Sequence, residues 1–452
     1  MEREKIVHRF LENGVLLDPG VLDRIASMSE GDISELLAEL VDRGVEVAGP
    51  GDLSRELPVD AGEMIEVPIP QLEVQTEPMV MGSDDRVDYL KHFQNRFDRI
   101  ASILRKRKDY GEGGSILEVK SGGSRPVTAI GMVCDRGTGK GGDIEIEDGT
   151  GRIALNPAGT GLGDVAGRLV LDEVIGVKGN YDEETGGIDL DRIDFPDIEE
   201  QDSELPGEKI YAAFLSDLHF GSSDFMTEAF DRFMEFLGGK GGNPELGRIG
   251  SLTKFVVICG DLVHGEGEDL KDSYEGLARL LDRVPDDTII FSIPGEHDTA
   301  GILEPQAGFL DDATGAFSRL DNFRTGSNPC LIKLASVPVL LYHGRSLVDW
   351  RENLGQMVSC DLMREMLVRR HLAPSYGLSV PLYPGAKDPF IIGDVPRVFQ
   401  TGHEHNCCTS KYKGVLLLST PSWLSSEKLK GAGTAIIVDL STLEASELNF
   451  AS

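Results

Sequence analysis

Six short apolar runs dominate the second half of the chain: Tyr211–Leu215, Phe255–Ile258, Thr288–Ile293, Val337–Tyr342, Val398–Gln400 and Val415–Leu418. Longer stretches separate them, and each of the first five leads within two residues into Gly, His or Asp. Strand-length apolar segments alternating with helical ones prescribe an α/β domain, with chemistry in the loops at the strand ends.

The loops are Ser216-Asp217-Leu218-His219, Gly260-Asp261, Pro294-Gly295-Glu296-His297-Asp298, Tyr342-His343-Gly344 and Gly402-His403-Glu404-His405. Five of the nine histidines fall there. Asp-x-His and His-x-His put both side chains on one side of an extended segment. The glycines let backbone and ligands crowd one point. One Asp-x-His alone is weak evidence, but five such loops in succession point to a dinuclear metal site. Mixed carboxylate and imidazole donors favour Mn, Fe or Zn over Mg or Ca. A bridging carboxylate suits the two-metal geometry of phosphoester hydrolysis.

The first half reads differently. Residues 1–44 suggest a small helical module. Ile6, Val7, Phe10 and Leu11 share one helical face, with Gly14 as a stop. Ile33, Leu36, Leu37, Leu40 and Val41 repeat the pattern before Gly44. Residues 45–83, punctuated by prolines 50, 58, 68, 70 and 78, read as a flexible linker. Residues 84–112 hold a helix from about Asp85 to Lys108, with Leu90, Phe93, Phe97, Ile100 and Leu104 as its apolar stripe. It ends in Arg105-Lys106-Arg107-Lys108, cations that complement a helix dipole or meet phosphate. His8 and His92 are read as helix-surface residues. Residues 113–204 read as short strands. Ile144 and Ile146 alternate with acids, and Asp148-Gly149 is a hairpin signal, which suits an OB-fold β-barrel. Few aromatics and many acids favour a structural or partner-binding barrel over a single-strand binder. Gly137-Thr138-Gly139-Lys140 is followed by Gly141, not Ser or Thr, and reads as a hairpin loop rather than a phosphate loop.

At 452 residues the chain exceeds one core. Its net charge of −33 rules out holding a polyanion by bulk charge and suits a salt-rich cytoplasm. No apolar run is long enough for a membrane span. The six cysteines, Cys134, Cys259, Cys330, Cys360, Cys407 and Cys408, include no C-x-x-C pair and read as free thiols in a reducing cytoplasm.

Asp-x-His, Gly-Asp, Gly-Glu-His-Asp, His and Gly-His-x-His together resemble the signature of calcineurin-like metallophosphoesterases. Tyr342-His343-Gly344-Arg345-Ser346, His371-Leu372-Ala373-Pro374-Ser375-Tyr376-Gly377 and Thr401-Gly402-His403-Glu404-His405 narrow the resemblance to the small, exonuclease subunit of the archaeal family D DNA polymerase. The resemblance is specific over 205–452. It implies a C-terminal α/β calcineurin-like domain there, a two-sheet sandwich flanked by helices, and a multidomain whole with the helical module and OB-fold before it. Asp217, His219, Asp261 and His405 would hold one divalent ion. Asp261 would bridge to a second, which Glu296, His343 and His403 would also bind. Mn²⁺ is the family's usual ion, with Fe, Zn or Mg as alternatives.

The implied catalytic residue is His297, beside the scissile phosphate, and Arg345 is a candidate phosphate contact. The implied reaction is 3′→5′ exonuclease proofreading at a DNA 3′ end, beside a large polymerase subunit, with a sliding clamp or a primase as further partners. Glu296 stands where the family has Asn and lowers the site's charge by one. The rival functions are a weakly active or silent scaffold subunit and a stand-alone phosphodiesterase. His264 reads as a polar loop residue, while His371 and Trp423 read as structural.

Overall fold

The computed structural model describes residues 3–13, 15–17, 71–76, 88–111, 113–137, 144–157, 161–202, 204–240, 242–265, 267–426 and 431–451, with isolated positions between 25 and 48. The chain divides into two units, Met1–Pro68 and Ile69–Ser452.

In the first unit the helix Arg3–Glu12 buries Ile6 and Phe10 against Val15, Ile25, Ile33, Leu36, Leu37 and Leu40. Val7 and Leu11, assigned to the same face from the sequence, are 40% and 55% exposed. They stand one residue, about 100°, around the helix from the buried pair, which carries them to its rim. Strands β1 (Leu16–Leu17) and β2 (Val47–Ala48) pair in parallel. Gly14, Gly44, and residues 45–46, 49–70 and 77–83 of the expected linker lie outside the described residues.

The second unit begins inside that expected linker. Leu72–Val74 forms β3, in which Leu72 and Val74 flank Glu73, a strand too short to stand out by pattern. The following helix is Tyr89–Arg105, capped by Asp88, whose carboxylate accepts the Lys91 N–H at 3.1 Å. Its buried face is His92, Arg96, Ile100, Ala101 and Leu104; of the expected stripe, Ile100 and Leu104 are buried, Phe93 and Phe97 are half-buried against the same cluster, and Leu90 is 79% exposed. His92 is therefore a core residue, not a surface one. Periodicity misses this face because two of its positions are polar. The Asp388 carboxylate makes their burial tolerable: Arg96 Nε donates to Oδ2 at 2.6 Å, and Nε2 of His371 and of His92 lie 2.9 and 3.4 Å from it. The basic run closes this helix with Arg105, Lys106 and Lys108 exposed.

A closed barrel follows, built from β4 (Arg125–Asp135), β5 (Ile144–Asp148), β6 (Gly151–Asn156), β7 (Val174–Asp182) and β8 (Gly187–Asp194) in the order β4-β5-β6-β8-β7. The expected Asp148-Gly149 hairpin joins β5 to β6, with Asp148 Oδ1 accepting Thr150 N–H at 2.7 Å. Residues 138–143, which include the rejected phosphate-loop segment, lie outside the described residues.

Two six-stranded sheets make the remainder. One has the order β12 (Phe323–Thr325), β11 (Ile289–Ile293), β10 (Thr253–Cys259), β9 (Tyr211–Leu215), β18 (Thr434–Asp439), β19 (Glu444–Asn449). The other runs β16 (Cys408–Tyr412), β17 (Val415–Ser419), β15 (Val398–Thr401), β14 (Val337–Leu341), β13 (Cys330–Leu334), β3. All six apolar runs read from the sequence are strands here. Phe214, Val257, Phe291, Val339, Val398 and Ile436 pack between the sheets. The first sheet's outer face meets the helices Thr227–Leu237 and Glu268–Leu281, with Trp423 fully buried among Phe230, Phe233 and Phe450. The second is covered by Leu347–Leu354 and Ser359–Arg369.

Arg369 ties this layer to the barrel. Its Nε lies 2.6 Å from Glu173 Oε2, and its guanidinium stacks on Phe195 at 4.5 Å. Cys360 and Cys408 form a disulfide across 48 residues, against the expectation of free thiols. The fold sets the start of the helix Ser359–Arg369 against the start of β16, with Cα atoms 6.2 Å apart, a proximity no local spacing reveals. Cys134, Cys259, Cys330 and Cys407 are free. Among the described residues no helix is long and apolar enough to cross a membrane.

Candidate metal centre

The parallel strands β9, β10 and β11 end side by side, and β14 and β15 end beside them in the facing sheet. Loop-to-loop bonds stitch these ends together: Asp217 N–H to Gly260 O, His219 N–H to Asp261 O, both 3.0 Å, and Gly402 N–H to His343 O at 2.9 Å. The carboxylates also brace the loops. Asp261 Oδ1 accepts His297 N–H at 2.9 Å, and both Asp217 oxygens lie 3.1 Å from His403 N. The crossings need glycine. A Cβ on Gly260 would lie 2.3 Å from His343 Nδ1, one on Gly295 2.2 Å from Asp261 Oδ1, and one on Gly402 2.6 Å from Asp217 Oδ2.

Asp217, His219, Asp261, His403 and His405 all have left-handed backbone, with φ of 50°, 47°, 52°, 65° and 55°. Each such residue costs on the order of 1–3 kcal/mol and persists only where its surroundings over-determine it.

Six of the predicted residues converge in three overlapping triads: Asp217, His219 and His405; His219, Asp261 and His297; Asp217, Asp261 and His343. His405 Nε2 stands 3.3 Å from both Asp217 Oδ1 and His219 Nε2. His343 Nε2 is 3.3 Å and His297 Nε2 4.0 Å from Asp261 Oδ2. Glu296 and His403 form the outer part, with Glu296 Oε1 3.5 Å from His403 Nδ1. Arg345 lies at the rim with Nε 3.5 Å from Glu296 Oε2. His264 is exposed, its ring 6.1 Å from that of His297.

The donor set fits divalent cations. His343 Nδ1 faces Cys259 O at 2.9 Å, so that nitrogen carries the ring proton and Nε2 turns its lone pair toward Asp261. Nε2 is buried with no hydrogen-bond partner. Two acceptors facing each other require a positive charge between them, a proton or a cation. The electrostatics say the same. Burial opposes charge on His343, yet Asp261 raises its pKa well above the imidazole range. Burial likewise opposes the Asp261 carboxylate, while His343 holds it below its ordinary value. Burial lowers His219 and His403, keeping both neutral and ready to ligate.

Sequence reasoning left three supporting groups without a role. Asp298 accepts Gly295 N–H at 2.9 Å, Leu262 N–H at 3.1 Å and Tyr274 O–H at 3.1 Å, joining two ligand loops. Asn328 accepts His343 N–H at 3.0 Å. Glu404 is engaged by Arg351. Only the position of Asp298 and Glu404 beside predicted ligands could have singled any of them out.

Residues 212–409 match the model of the family of DNA polymerase alpha/epsilon B-subunits. The chain is 28% identical to the DNA polymerase II small subunit of Methanothermobacter thermautotrophicus over 464 aligned residues, covering 94% of each chain. It is 32% identical to that of Archaeoglobus fulgidus, covering 74% of this chain and 70% of that one. With that of Halobacterium salinarum it shares 31% identity, over 80% and 75%. Among solved structures it is similar to an archaeal phosphodiesterase, at 13% identity and a TM-score of 0.31, over 53% of this chain and 99% of that one.

Proposed function

The chain belongs to the family of DNA polymerase II small subunits, the small subunit of the archaeal family D polymerase, and from that membership we propose that it is the 3′→5′ proofreading exonuclease of its polymerase. A small subunit implies a large one as partner. The observation that carries the exonuclease reading is the convergence of Asp217, His219, Asp261, His297, His343 and His405 from five strand ends.

In this reading Asp217, His219, Asp261 and His405 hold one divalent ion, and Asp261, Glu296, His343 and His403 the other. Mn²⁺ is the preferred ion and Fe, Zn or Mg the alternatives. Two such cations, when bound, supply Lewis acidity at the phosphoryl oxygens and activate water. The chain's own residues do the rest. Asp261 fixes the His297 backbone. The half-exposed His297 side chain then faces the open side, where its imidazole protonates the leaving 3′ oxygen or stabilises charge on the phosphate. Arg345 at the rim takes a phosphate oxygen. The barrel, read as an OB-fold, and the net charge of −33 fit a subunit that relies on its large partner for the DNA track. DNA binding is therefore weak for the isolated subunit and much tighter for the complex. Equal affinities at one salt concentration would count against this.

The test is a 3′-mismatched primer with Mn²⁺. Wild type yields a ladder of shortened primers, and His297→Ala slows it by about 10²–10⁴-fold. A scaffold role draws on one observation, the additional carboxylate Glu296 at the site's mouth, and gains if neither protein yields a ladder.

A further inference from the structure

We propose that Glu404 and Arg351 form a positioning pair that aims His403 and His405 at the metals. Through this pair the helices Leu347–Leu354 and Ser359–Arg369 set the centre's metal affinity; the inference rests on the two-metal reading above. Glu404 lies between the two histidines in the loop after β15. A loop glutamate is ordinarily solvated, but this side chain is only 6% exposed. Both guanidinium nitrogens of Arg351 grip its carboxylate, Nη1 at 2.6 Å from Oε1 and Nη2 on Oε2, and Ser359 Oγ donates to Oε2 at 3.3 Å. A two-pronged pair of planar groups fixes direction as well as distance.

The loop needs such a fixture. His403 and His405 are both in left-handed backbone, so the turn holds its shape only while something outside it defines the middle residue. His405 reaches Asp217 and His219, and His403 reaches Glu296, so one lever carries a proposed ligand of each cation. The helix bearing Arg351 starts four residues after His343, another proposed ligand.

The same helical pair holds the loop's far end, since Cys360 is bonded to Cys408. It is itself anchored to the barrel side. Arg136 donates to Asn353, Arg369 pairs with Glu173, and Arg168 Nη2 lies 3.5 Å from Glu365 Oε1. Polar contacts thus tie the barrel side to the two helices, and the helices to the loop that carries the two histidines.

Isothermal titration of EDTA-stripped full-length protein with Mn²⁺ alone tests the pair, with apo thermal midpoints measured alongside. Glu404→Gln and Arg351→Met each weaken Mn²⁺ binding by about 10–100-fold, the usual effect of losing a group that orients a ligand. The double variant is no weaker than either single one. Arg351→Lys, which keeps the charge but not the fork, recovers part of the affinity that Arg351→Met loses. Should Glu404→Gln fail to fold, the two Arg351 variants decide, because that side chain is 24% exposed and tolerates exchange. Wild-type affinity in folded single variants, or losses that add in the double, would overturn the positioning role alone. A wild type that takes up no Mn²⁺ would overturn the two-metal reading itself.

Discussion

Asp388→Asn separates structure from chemistry in the segment His371–Gly377, one of the three segments that carry the family resemblance. Asp388 is fully buried and compensates Arg96, which is 1% exposed, while accepting from or facing His371 and His92. Removing one member of a buried charge pair costs about 3–5 kcal/mol. Asn keeps the volume and one acceptor, and Arg96 retains Pro374 O and Asp172 O as partners, which points to the lower end, about 3 kcal/mol. For a cooperative unit the size of Ile69–Ser452 that corresponds to a fall of about 4 °C in thermal midpoint. Replacing the pair by apolar residues, Asp388→Leu with Arg96→Met, recovers most of the loss.

The acid limb adds a second reading. Burial, reinforced by Arg96, pushes the His371 imidazole down to about 4. Below about pH 6.5 the unfolded chain therefore takes up a proton that the folded one refuses. Stability falls with acid from there to about pH 4, by up to about 1.4 kcal/mol per pH unit. Burial opposes the Asp388 carboxylate, but Arg96 and His371 hold it well below the usual range. Its contribution is thus full above the ordinary carboxylate value of about 3.9 and disappears as pH drops through the folded value, a limb that Asp388→Asn lacks. Calorimetry of apo protein between pH 3 and 8, with Mn²⁺ titration at neutral pH, measures all of this. An unchanged midpoint, or intact stability with Mn²⁺ affinity lost tenfold, would refute the structural assignment.

Glu296→Asn removes a negative charge from the mouth of the site and is expected to keep or raise Mn²⁺-dependent primer degradation; loss of activity would count against Glu296 as a ligand that costs phosphate attraction. Asp298→Ala leaves Gly295 N–H, Leu262 N–H and Tyr274 O–H without their acceptor, and should lower stability by about 2–4 kcal/mol in denaturant unfolding, with no change speaking against its bracing role. The Cys360–Cys408 bond closes a span of 48 residues and contributes about 4 kcal/mol by chain entropy. Reductant should lower the wild-type midpoint but not that of Cys360→Ser, and an equal response of the two proteins would argue against the bond.

The sandwich was legible because its inner strands are buried on both faces. Such strands read as unbroken apolar runs, and the six read became β9, β10, β11, β14, β15 and β17, while the inner strands β13 and β18 were not picked out. Edge strands carry no such mark. β16 is Cys-Thr-Ser-Lys-Tyr and β19 is Glu-Ala-Ser-Glu-Leu-Asn, both largely exposed, and β3 was concealed in a proline-rich stretch. The helix Tyr89–Arg105 failed differently. Its buried face contains His92 and Arg96, whose partner Asp388 is almost three hundred residues away, and periodicity counts polar residues as solvent-facing wherever their partner lies.

The candidate centre follows the same logic at closer range. Its residues were legible because coordination chemistry restricts the side-chain types, and because two-residue spacing at a strand end is local. The groups that hold them are unrestricted in type and come from anywhere in the fold. Asp298 reaches Leu262 and Tyr274, and Asn328 meets His343 through a backbone N–H, which any acceptor of the right reach would serve. Arg351 is chosen by where one helix crosses one loop. The sequence therefore announces what would bind the cations, while the three-dimensional crossing of loops decides how firmly. The left-handed backbone at Asp217, His219, Asp261, His403 and His405 shows where that support is spent. A chain could keep all seven proposed ligands and still lose its metals through a substitution at Glu404 or Arg351.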